Sequence, residues 1–139
     1  MSLKPLLAAL LVVALFGCAP APDAANAPPS AGYVRHLQPS EIDTWRGVHY
    51  DGLVIDLRSL AEYDDDLSHL DNSIVVPVED LESRLGEFEK WKTGTVLLYD
   101  RTGISLTRAG QILVTHGFRD VNVIDGGLKA YRDWQKQPR

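Results

Sequence analysis

The sequence predicts a single α/β domain, a parallel central sheet with helices on both faces. Three observations predict it. Leu53–Leu57, Thr95–Tyr99 and Val121–Ile124 are short, largely apolar runs, as expected of strands buried on both faces. The stretches between them carry helical spacing or helix-capping residues, and strands alternating with helices at this pitch build parallel sheets. The stretch available for folding, 33–139, is 107 residues, enough for one small core.

Each element follows from local chemistry. Tyr33–Leu37 reads as a short strand. Pro39-Ser40-Glu41 then opens a helix through Trp45, with Ser40 as its expected N-cap. Leu53–Arg58 is a strand ending in charge, and Ser59-Leu60-Ala61-Glu62 has the spacing of a capping box. Ile74–Val78 reads as another short strand, stopped by Pro77. Glu79–Lys90 is polar, with Leu81, Leu85 and Phe88 at i, i+4 and i+7, which predicts an amphipathic helix. Thr95–Tyr99 is a buried strand, followed by a helix over Thr107–His116 that Gly117 closes. Val121–Ile124 is the last strand, and Gly127–Trp134 the last helix.

The beginning of the chain has a different character. Residues 1–17 place Lys4 before an apolar run of 11 residues, Leu6–Phe16, the pattern of a secretory signal peptide. The run ends in Leu15-Phe16-Gly17-Cys18, which resembles the bacterial lipoprotein signal. That resemblance implies that Cys18 becomes the acylated N-terminus of the mature protein, and that Ala19 directs it to the outer membrane, facing the periplasm. Several acyl chains anchor stably where one is marginal. An ordinary signal peptide that leaves Cys18 free is the alternative. Residues 18–32 hold four of the eight prolines and one charge, so they read as a semi-rigid tether of roughly 45 Å at about 3 Å per residue.

Composition removes several function classes. The net charge of −5 argues against nucleic acid as a partner. The one cysteine in the chain excludes an internal disulfide framework and a multi-cysteine zinc site. His36, His49, His69 and His116 show no metal-ligand spacing, so no metal and no cofactor is expected. Glu62 and Asp64–Asp66 form an acidic run without the glycine and ligand rhythm of a calcium loop, and a solvated loop is expected there. Trp45, Trp91 and Trp134 lie in or beside helices and read as packing residues.

In parallel sheets, ligands sit beyond the C-terminal ends of strands. The candidate site is therefore the loop after Tyr99, Asp100-Arg101-Thr102-Gly103-Ile104-Ser105-Leu106, which leads into a helix. Such a junction gathers free backbone N–H groups and the positive end of a helix dipole, a natural anion cradle. A plain connection with no ligand stays open at this point.

The order of these features resembles the rhodanese-like domain. Leu53–Arg58 looks like that family's first signature strand, with Asp56 and Arg58 in place, and Glu62-Tyr63 matches the acidic–aromatic pair after it. His69 is the one identity within Ser68–Ile74, where the family has Gly-His-Ile-Pro-Gly-Ala. Thr95–Leu106 looks like the strand and active-site loop, and Asp125-Gly126-Gly127-Leu128 with Tyr131 and Trp134 like the closing motif. The resemblance implies that Asp56, Arg58 and His69 lie near the site, with Asp56 and Arg58 as a structural pair.

The departures decide the expected function. The resemblance implies a persulfide-carrying cysteine at the first loop position, which here is Asp100, and an arginine near the loop's end, which here is Ser105-Leu106. A carboxylate cannot form a persulfide, and no thiol exists in residues 33–139. Asp100 could instead accept the loop's own N–H groups as an internal substitute for an anion. The sequence therefore predicts a membrane-anchored binding or regulatory module, with a protein partner not named by the sequence and no sulfurtransferase activity. A hydrolase using Asp100, or an anion or cation site built on it, is the alternative. An aspartate-based phosphatase would need a second aspartate two residues on, where Thr102 stands.

Overall fold

The computed structural model describes residues 31–138. The signal segment, Cys18 and most of the tether lie outside the described residues. Among the described residues, no helix is long and apolar enough to cross a membrane.

Five parallel strands form one sheet: β1 (Tyr33–Leu37), β2 (Leu53–Asp56), β3 (Ser73–Val75), β4 (Thr95–Tyr99) and β5 (Asp120–Ile124), in the order β1-β5-β4-β2-β3. Among the described residues four α-helices connect them, α1 (Ile42–Val48), α2 (Leu60–Tyr63), α3 (Leu81–Arg84) and α4 (Leu106–Thr115), and α5 (Gly127–Gln135) follows β5. The predicted α/β class and parallel sheet are both present.

Side chains alternate between two cores, as the twofold period of a strand demands. Leu53 and Ile55, Val96 and Leu98, and Val121 and Val123 pack with Leu81, Leu106, Ala109 and Leu113 of α3 and α4. Val54, Leu97 and Ile124 turn the other way, onto Ile42 and Trp45 of α1 and Leu128 and Tyr131 of α5. Both faces of the three central strands are thus covered, which is why their sequences are nearly continuous apolar runs.

Some boundaries differ from expectation. Ser40 is not the cap of the first helix: a 3₁₀ turn over Pro39–Glu41 precedes α1, and Gln38 caps it, its N–H donating to the Glu41 carboxylate at 2.7 Å. Arg58 leaves β2 because its guanidinium and its N–H both turn back onto Asp56. β3 covers Ser73–Val75 rather than 74–78. The helix expected over Glu79–Lys90 is α3 for four residues and then 3₁₀ from Leu85 to Trp91. Leu85, Phe88 and Trp91 are three apart, so a helix of three residues per turn keeps all of them on the core. The capping box at Ser59 is present, with the Ser59 N–H and hydroxyl donating to Glu62 Oε2 at 3.1 and 2.9 Å.

Candidate functional site

Because all strands are parallel, their C-terminal ends share one pole, and two carboxylates stand there on adjacent strands. Asp56 ends β2, and Asp100 follows Tyr99, its partner in register on β4. The Leu57 N–H donates to the Tyr99 carbonyl at 2.8 Å and carries this pairing one step past the sheet.

Asp56 is fully buried and is held by Arg58. The guanidinium forks onto it, Nε at 3.0 Å from Oδ1 and Nη2 at 2.8 Å from Oδ2. Arg58 also donates to the Ser68 carbonyl at 2.6 Å and to Asp65 at 3.0 Å. Burial works against the charge on Arg58, but the hydrogen bond and opposite charge of Asp56 outweigh it and push the guanidinium pKa above its ordinary value. Beneath it, the Tyr99 hydroxyl donates to Ser73 Oγ at 3.0 Å and accepts the Leu70 N–H at 3.1 Å. Burial raises the Tyr99 phenol well above its usual pKa, so it stays neutral.

Asp100 is 7% exposed. Its side chain turns back into its own loop, where one oxygen accepts the Gly103 N–H and the other accepts the Ser105 N–H at 2.8 Å. Gly103, at φ +90°, makes the turn that aims its amide at the carboxylate. From below, Leu128 and Lys129 in the first turn of α5 donate to the Asp100 and Arg101 carbonyls at 2.8 and 2.9 Å. That close docking requires Gly127: its φ is +69°, and a Cβ there would lie 2.7 Å from the backbone of Arg101, Thr102 and Gly103. The loop amides at Gly103 and Ser105 are thus occupied by a carboxylate the chain itself supplies.

Arg101 does not face the loop interior. It pairs with Asp65 and, at 3.1 Å, with Asp66. Asp65 therefore bridges Arg58 and Arg101. Burial opposes its charge, but the Leu67 N–H and the two arginines outweigh that and hold its carboxyl below the ordinary range. The solvated acidic loop expected over Glu62 and Asp64–Asp66 holds for the exposed Asp64 and Asp66, but Asp65 departs from it and ties the β2 and β4 loops together. The sequence carries no local signal of this, because its partners stand 7 and 36 residues away. His69 stacks on Tyr63 at a centroid distance of 3.8 Å, with Nδ1 3.3 Å from the Tyr63 carbonyl. It sits behind the Arg58 network rather than in the loop.

Between the two loops opens a cleft of about 400 Å³. Its charged lining is Arg58, Glu62, Glu79, Asp100 and Arg101, with Thr102, Ile104 and Ser105 along the loop side. The sequence marks Glu79 only as the start of a helix; its place on the rim follows from the turn after β3. Leu106 is buried as the first residue of α4. No group of three or more His, Cys, Asp or Glu side chains arranged to hold a metal ion occurs among the described residues.

Comparison with known proteins agrees with this architecture. The rhodanese-like domain family matches residues 41–133. Over 85 residues the chain is 32% identical to the tRNA uridine(34) hydroxylase of Hamiltonella defensa, covering 58% of this chain and 23% of that protein. The chain thus spans less than a quarter of that relative's length. A rhodanese-like domain from Anabaena sp. superposes with a TM-score of 0.53 at 25% identity, covering 63% of this chain and 95% of that one. A rhodanese-related protein from Thermoplasma volcanium gives 0.60 at 18% identity, over 75% and 95% of the two chains. An NAD-dependent persulfide reductase from A. fulgidus gives 0.55 at 21% identity, over 70% of this chain and 16% of that one. At their identities, the last two show the fold alone. The parallel sheet, the loop after β4 and the family match over most of the folded part together make this chain a member of the rhodanese-like domain family.

Proposed function

We propose that this protein is an envelope-anchored rhodanese-like lipoprotein that does not transfer sulfur and acts as a binding or regulatory module. One observation carries the reading: the Asp100 carboxylate accepts the Gly103 and Ser105 N–H groups. A loop that would cradle an anionic sulfur group already holds an anion, and the residue supplying it has no thiol. A second anion entering the cleft meets that fixed negative charge. The same hydrogen bonds commit both oxygens of Asp100, which weighs against its use as a hydrolytic nucleophile.

The tRNA chemistry named for the relative from H. defensa is not carried over. The net charge of −5 and the carboxylates around the cleft repel a polyanion.

The anchoring half of the reading rests on Leu15-Phe16-Gly17-Cys18 and the Ala/Pro-rich segment after it. The outer membrane, facing the periplasm, is the proposed location. Two experiments test the two halves. Full-length protein incubated with thiosulfate and cyanide is expected to form no thiocyanate above the buffer blank, and clear turnover would refute the reading. Cells fed labelled palmitate are expected to label the wild-type chain and not Cys18→Ala; equal labelling of both would remove the anchor.

A further inference from the structure

The cleft does not stand alone. A second groove, of about 570 Å³, runs along α4 beside it, lined by Glu82, Ile104, Arg108, Ile112 and His116. Ile104 lines both cavities, and it is 87% exposed at the tip of the loop. On the facing side, Glu79 lines the cleft and Glu82 the groove, three residues apart. The two concavities therefore adjoin as one surface, sharing an isoleucine side chain that no other described residue covers.

Its charge is uneven. The cleft wall carries Glu62, Glu79 and Asp100 with the guanidinium groups of Arg58 and Arg101, while Asp56, Asp65 and Asp66, outside that wall, are the ion-pair partners of the two guanidiniums. Both guanidiniums are spent: Arg58 on Asp56 and Asp65, Arg101 on Asp65 and Asp66. Glu79 is exposed and has no ion-pair partner among the described residues. The groove beyond Ile104 is different, with Ile112 in its wall and Arg108 at its side. A small cation would use the cleft and leave the isoleucines uncovered. A polyanion would meet the carboxylates. What fits both cavities is an extended polypeptide with a basic residue followed by an aliphatic one, since Arg108 disfavours a second basic residue in the groove.

We propose that the joined cleft and groove dock a segment of a partner protein, placing a lysine or arginine side chain beside Glu62 and Glu79 and an aliphatic side chain against Ile104 and Ile112. This rests on the reading of the domain as a binding module and names the chemistry of what it binds.

The test uses the full-length chain in non-ionic detergent micelles, with empty micelles as the blank. Three labelled seven-residue peptides, Gly-Ser-Ile-Lys-Ile-Ser-Gly, the same with Glu for Lys, and the same with Ser for both Ile, are followed by fluorescence anisotropy. The Lys–Ile peptide is expected to bind about tenfold tighter than the Glu peptide, and the preference to fall as salt screens it. It should also bind more tightly than the peptide lacking isoleucine. Glu79→Gln and Ile104→Ser alter exposed side chains, so the fold should tolerate both, and each should weaken the Lys–Ile peptide about threefold or more. Equal binding of the Lys and Glu peptides, no binding above the blank, or wild-type affinity in both variants would overturn the proposal. The sulfur-transfer assay separates the two failures: a blank there leaves the underlying reading standing whatever the peptides do, whereas thiocyanate formation removes that reading by itself.

Discussion

Asp56 ends β2 and Asp100 follows the end of the adjacent β4, yet the chain satisfies them in opposite ways. Asp56 meets a full positive charge, the forked guanidinium of Arg58, in a fully buried site. Asp100 meets only dipoles, two backbone N–H groups of its own loop. The first arrangement reaches outward: through Arg58 it ties in the Ser68 carbonyl and Asp65, and Asp65 brings in Arg101. The second stays local and shapes five residues. A buried ion pair therefore works here as long-range architecture, and a carboxylate–amide cap as the setting of one loop.

Substitutions can break this comparison, and the largest effect is expected on the ion-pair side. Arg58→Ala leaves Asp56 charged, buried and unpaired, which should cost about 3–5 kcal/mol in urea unfolding. A loss under about 1 kcal/mol would show that Asp56 finds another partner or water. Gly127→Ala attacks the loop from beneath, by forcing a Cβ into the Arg101–Gly103 backbone at a positive φ. A loss of about 2–4 kcal/mol is expected, with the amide signals of residues 100–105 displaced in NMR spectra.

Asp100→Ala should cost less, about 1.5–3 kcal/mol, because it orphans two amides at the rim rather than a charge in the core. Asp100→Asn keeps one acceptor oxygen and should recover part of that loss. Equal stability of Asp100→Ala and wild type would show that water replaces the carboxylate at no cost.

The smallest effect sharpens the link between the two sites. Asp65 is held below the ordinary carboxyl range, so its contribution is fully present above the unfolded-state value of about 4. It is lost as pH falls through the lower folded-state value. Urea midpoints measured from about pH 6 down to pH 2.5 should fall less steeply below pH 4 for Asp65→Asn than for wild type. Parallel curves would mean the bridge contributes nothing.

The sheet was legible in the sequence because burial on both faces leaves a signal that depends on neighbours in the chain. Leu53–Ile55, Val96–Tyr99 and Val121–Ile124 are such runs. The Leu85–Trp91 segment misled because Leu81, Leu85 and Phe88 fit an α-helix, while Trp91 extends a three-residue period that only packing selects. At the site, the turn of Asp100 onto its own loop could be anticipated from an acceptor placed before free amides. The role of Asp65 could not, because it depends on how the loop after α2 returns to the sheet. Glu79 came to the cleft for the same kind of reason.

The parallel sheet also has a mechanical consequence. Among the described strands, β1 lies at the sheet's edge and pairs with β5 alone, in register from Tyr33–Asp120 to Leu37–Ile124. The chain enters β1 at the pole opposite the Asp100 loop. Tension between residue 33 and anything held at the cleft runs along the strands, so the β1–β5 bonds are loaded together in shear instead of parting one by one. A pull on residue 33 against the far pole therefore meets the β1–β5 pairing in shear.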